Sequence, residues 1–106
     1  MHEKFMKEAL IEAEKSLAFD EVPVGAVIVR NEKILARAHN LKNKSNSSLA
    51  HAEILAINKA SKKIQNWRLT DCDIYVTLEP CPMCASAIKQ SRIKNIYYGV
   101  ESTNMN

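Results

Sequence analysis

Cys81 and Cys84 stand at i and i+3 in Leu78-Glu79-Pro80-Cys81-Pro82-Met83-Cys84, with Cys81 between two prolines. A pair so spaced serves as a redox couple, as half of a structural metal site, or as half of a catalytic one. His51 and Glu53, in Ala50-His51-Ala52-Glu53-Ile54-Leu55, supply what the pair lacks. Imidazole and thiolate are both good zinc ligands, so His51, Cys81 and Cys84 make three. Glu53, two residues from a ligand, is placed to manage protons on a water activated by the metal. A thioredoxin-like couple has no use for a His-x-Glu opening another helix, and the redox reading falls behind.

A structural zinc site is closed by four protein ligands, whereas a catalytic one leaves a position open. Cys72 is the only other cysteine. It precedes the strand whose far end feeds Cys81, so roughly 20 Å of extended chain separates the two. Cys72 is expected at the opposite edge of the sheet, and the zinc stays open. One geometric demand follows. Residues at i and i+2 of a regular helix do not share a face, so His51 and Glu53 converge only if His51 sits at the very start of its helix.

The elements that must position these groups follow from periodicity. Residues 2–18 carry Phe5, Met6, Ala9, Leu10, Ala13 and Leu17 at helical spacing. The run from 20 to 29, entered through Pro23 and Gly25, reads as a strand, residues 30–33 as a turn, and residues 34–40 as a second strand. Residues 41–48 form the longest loop signal, and Ser47 or Ser48 is expected to cap a helix from about Leu49 to Ile64. After an irregular connector, residues 73–78 read as a β-branched and aromatic strand stopped by Pro80. Pro82 suits the first turn of the next helix, and residues 94–100 read as a last strand. The order α-β-β-α-β-α-β predicts an α/β fold, with a hairpin, a parallel pair, and helices on both faces of a mixed sheet.

With 106 residues, one domain is expected, and the longest apolar run is far too short to span a bilayer. No signal peptide is evident, so a cytoplasmic location is expected, where cysteines are metal-bound, catalytic or buried more often than paired. Residues 1–21 carry three Lys/Arg and six Asp/Glu, or −3, and residues 22–106 carry twelve and six, or +6. A basic body suits a polyanionic partner. A solvated Lys-rich surface accounts for the same charge, and charge alone favours it.

His51-x-Glu53 followed by Pro80-Cys81-x-x-Cys84 resembles the signature of the zinc-dependent cytidine and deoxycytidylate deaminase superfamily. Within it, residues 21–29, Asn40, residues 50–57, residues 66–69 and residues 75–88 are most similar to the bacterial tRNA adenosine deaminases. The resemblance implies a hydrolase acting on a C–N bond, converting the wobble adenosine of a tRNA anticodon loop to inosine. It implies one zinc per chain on His51, Cys81 and Cys84, Glu53 as proton shuttle, and a homodimer. Asn40, Pro23, Val24 and Ala52 match positions that contact the target base. His39, Trp67 and Arg68 are ambiguous, and for the aromatic of the connector, Trp67, packing is a readier role than base stacking. The pattern departs at Ser47-Ser48-Leu49, and again after Gly99, where the family continues with further helices and a strand. That second departure predicts a C-terminally short chain. Two other functions fit the same residues. One is a deaminase of a free base or nucleotide (cytosine, guanine or deoxycytidylate); the other is a non-catalytic, zinc-stabilised RNA-binding module.

Overall fold

The computed structural model describes residues 2–100, so the departure expected after Gly99 falls almost wholly outside the described residues. Helix α1 spans His2–Ser16 and runs into a 3-10 turn at Leu17–Phe19. Strands β1 (Gly25–Arg30) and β2 (Lys33–His39) form the expected hairpin. Its turn uses Asn31 and Glu32 at φ 52° and 62°, the left-handed pair that matches the twist of the flanking strands. A short helix α2 (Lys42–Ser45) lies where only loop was expected. Then come α3 (Ala52–Ile64), β3 (Cys72–Leu78), α4 (Pro82–Gln90) and β4 (Asn95–Val100). The sheet order is β2-β1-β3-β4, with β1 antiparallel to both neighbours and β3 parallel to β4.

Alternation along the two central strands divides the core between two faces. Ala26 and Ile28 of β1 and Ile74 and Val76 of β3 face Ala52, Ala56 and Ala60 of α3 and Ile88 of α4. Val27, Val29 and Tyr75 face Phe5 and Ala9 of α1 on the other side. Burial on both faces explains why residues 25–29 read as an unbroken apolar run rather than an alternating one. Residues 20–24 are not strand: the Val24 N–H turns back to the Val22 carbonyl, and Glu21 is drawn to the amides of Asn43 and Lys44.

Helix α1 rests directly on β1 at Gly25. A Cβ built there would lie 2.0 Å from the Ala9 carbonyl oxygen and 2.5 Å from the Ala13 nitrogen. Backbone cannot yield as a flexible side chain can, so Gly25→Ala is expected to cost about 3 kcal/mol or more. A thermal melt checks this, and an unchanged midpoint would contradict the packing.

Candidate metal centre

His51, Cys81 and Cys84 come together as the spacing required. The three ligand atoms lie within 4.8 Å of one another, at the N-terminal ends of α3 and α4. His51 Nδ1 is 3.4 Å from Cys84 Sγ and 3.8 Å from Cys81 Sγ. A tetrahedral zinc with bonds of about 2.0–2.3 Å places its ligand atoms about 3.5–3.8 Å apart, so the donor set fits the ion in chemistry and spacing. Cys72 is buried at the start of β3, paired across the sheet with Arg30, and stands outside this group.

The two helix starts explain the convergence. His51 is the residue before α3, with extended backbone (φ −78°, ψ 149°), and so escapes the helical phase that would have separated it from Glu53. Cys81 occupies the same position before α4 (φ −66°, ψ 167°), and Pro82 opens the helix. Cys84 then falls one turn on and is completely buried.

Glu53 is buried in the first turn of α3, and its carboxylate accepts from the Cys84 thiol. Burial raises its pKa, opposed by its own backbone N–H and by that thiol. Burial also raises the Cys84 thiol, helped by the nearby Glu53 and Cys81. His51 is pushed down by burial and by Lys42, which keeps the imidazole neutral and fit to ligate. A divalent cation reverses the logic for the thiols, since its charge favours thiolates.

Asn40 does more than end β2. Its Oδ1 accepts the Ala52 N–H at 2.7 Å, capping α3 in place of Ser47 or Ser48. Ser47 Oγ instead accepts the Leu49 N–H at 3.3 Å, before the helix begins. Asn40 is itself held by its N–H on the Val24 carbonyl and by the Ser16 hydroxyl on its own carbonyl. Because Ala52 must donate, the carbonyl end of the Asn40 amide faces the helix. The Ala52 N–H is thereby committed to Asn40. Asn40→Ala is expected to lower stability by about 1 kcal/mol, whereas Asn40→Asp keeps an acceptor and melts near the wild type. Thermal melts of both variants check the assignment; equal losses would refute it.

Sequence reasoning missed Glu21, which is buried and accepts the N–H groups of Asn43 and Lys44 at 2.7 and 3.0 Å. It anchors the segment that delivers His51. The signal was present as a carboxylate immediately before an apolar run, but nothing local says which amides it meets. Pro23 and Val24 line an apolar hollow of about 550 Å³ with Leu10, Leu17, Val22 and Leu78, between α1 and the end of β3. The zinc ligands and Glu53 are not among its walls. Trp67, for which packing was the readier role, is 52% exposed.

Residues 1–100 match the family described as the cytidine and deoxycytidylate deaminase zinc-binding region. The tRNA-specific adenosine deaminase of Bacillus subtilis is 52% identical over 97 residues, which are 92% of this chain and 60% of that protein. The chain thus spans about three-fifths of that relative's length. A solved structure from work on A-to-I editing by tRNA:A34 deaminases at the wobble position superposes with a TM-score of 0.91 at 45% identity, covering 93% of this chain and 76% of that one. The X-ray structure of guanine deaminase from Bacillus subtilis gives 0.94 at 43% identity, covering 98% and 67%.

Proposed function

We propose, from the premise that this chain belongs to the cytidine and deoxycytidylate deaminase zinc-binding family, that it hydrolyses the exocyclic amine of adenosine to give inosine at the wobble position of tRNA. The observation that carries the chemistry is Glu53, a buried carboxyl two residues after His51 and against Cys84, yet not one of the three converging ligands. Support for the substrate comes from the adenosine deaminase likeness at 52% identity and from the wobble-position deaminase structure.

His51, Cys81 and Cys84 would hold the zinc, whose Lewis acidity makes a water nucleophilic near neutral pH. Glu53 takes the proton that this water loses on attacking C6. It passes that proton to the ring nitrogen, then moves one to the amino group, which leaves as ammonia. Adenosine and water are consumed, and inosine and ammonia are formed. Burial favours the protonated carboxyl, which suits a group that must hold a proton between transfers. Asn40, its carbonyl end taken by Ala52, has its amide NH2 left for the base. Pro23 and Val24 would bring apolar wall to the base from the Asn40 side, where the Val24 carbonyl takes the Asn40 N–H, and Ala52 acts through Asn40. The same reading carries a cytoplasmic homodimer, supported by the family resemblance.

A second reading, deamination of a free purine, is favoured by the superposition on guanine deaminase over 98% of the chain. Zinc-loaded protein incubated with an anticodon stem-loop, and separately with guanine, cytosine and deoxycytidylate, separates the two. Inosine in the RNA supports the first; ammonia from a free base with the RNA unchanged supports the second. A zinc-stabilised binding module predicts neither product.

A further inference from the structure

Charge in this molecule is polarised along the sheet. The register places the end of β1, the start of β2 and the start of β3 at one edge, since Arg30 lies opposite both Lys33 and Cys72. The C-terminal ends of α3 and α4 feed that edge too. Residues 30–33, 62–73 and 89–94 carry eight Lys/Arg and three Asp/Glu, so +5 in a chain of net charge +3, which leaves −2 for the rest. Lysines at helix ends partly answer the helix dipoles. Dipoles do not account for what surrounds Trp67.

Trp67 is held outward by a pinned connector. Asn66 Oδ1 accepts the Arg68 N–H at 3.0 Å, the Asn66 N–H donates to the Ser61 carbonyl at 3.1 Å, and buried Leu69 donates to the Ser91 carbonyl at 2.8 Å. The guanidinium of Arg68 lies 4.5 Å from the indole centroid and that of Arg92 lies 5.9 Å away. Beside them is a hollow of about 90 Å³ whose walls include Arg30, Asn66, Arg68 and Thr70, with Asp71 as its one acid. An exposed aromatic among guanidinium groups and hydroxyls, at a cationic pole, has the makings of a nucleic-acid contact. The ring stacks on a base or sugar while the cations take phosphates.

We propose that this edge is a second RNA contact, distinct from the metal centre, that binds sugar–phosphate backbone with a base or ribose against Trp67. The length of β3, roughly 20 Å, separates it from the zinc ligands, so it would engage a different part of the RNA from the reacting loop. The inference rests on the reading of RNA as substrate and extends it.

Trp67 is the chain's single tryptophan, so its emission reports on this edge alone. Full-length tRNA transcript titrated into the protein is expected to quench or shift that emission, with affinity falling steeply as salt rises. Two charge-reversed pairs on different elements, Arg68→Glu with Arg92→Glu and Lys33→Glu with Lys63→Glu, are each expected to weaken tRNA binding roughly tenfold or more. Both are expected to leave inosine formation on the isolated anticodon stem-loop unchanged. Saturating tRNA without any change in Trp67 emission overturns the proposal, as does wild-type affinity in both pairs. Equal quenching by polyglutamate reassigns the edge to an acidic protein partner. Quenching by tRNA without inosine from any RNA upholds this contact while removing the catalytic reading.

Discussion

Glu53→Gln is expected to retain a full complement of zinc and to lose turnover by roughly 10²–10⁴-fold, the usual worth of a positioned acid–base group. The substitution keeps the shape of a side chain that is 4% exposed, and it replaces none of the three ligands His51, Cys81 and Cys84. Glutamine still hydrogen-bonds but cannot carry a proton from the water to the ring nitrogen and the leaving amine. Metal content by mass spectrometry and single-turnover inosine formation together read the two halves of the claim. Zinc retained with activity within about tenfold of wild type would remove Glu53 from the mechanism. Zinc lost would make it a ligand, against the geometry of the site.

Cys84→Ala is expected to abolish stoichiometric zinc and turnover together. Cys84 Sγ lies 3.4 Å from His51 Nδ1 and is completely buried. The two donors left, His51 and Cys81, cannot close a tetrahedral site. A ligand that binds only the folded state stabilises it by about 4 kcal/mol at a thousandfold excess over Kd. Wild-type protein is therefore expected to melt markedly higher with zinc than with a chelator, and the Cys84→Ala variant to melt at the same temperature in both. A variant that still gains stability from zinc would show that the metal sits elsewhere.

The sequence disclosed the order of elements and the metal ligands because both are written in local pattern. Period-two and helical spacing mark the strands and helices, and His-x-Glu and Cys-x-x-Cys each fall at a helix start. Why His51 and Glu53 converge needed the backbone itself, in the extended conformation of a residue just outside α3. Local pattern offers only the nearby serines as a cap for α3, because the acceptor, Asn40, is twelve residues away and reaches the helix only through the fold. Helix α2 went unseen for a similar reason: its amides are satisfied by Glu21, more than twenty residues upstream. The role of Trp67 is ambiguous in the sequence, and only the fold shows it half exposed with Arg68 and Arg92 against its ring.

The most direct test of the central claim is the fate of oxygen. Zinc-loaded protein and an anticodon stem-loop are incubated in water enriched in heavy oxygen, and the wobble nucleoside is recovered for mass analysis. Hydrolytic deamination predicts inosine at that position carrying the label, one ammonia for each inosine, and neither product from Glu53→Gln. Unmodified adenosine at the wobble position, under conditions where the same protein releases ammonia from a free base, would contradict it.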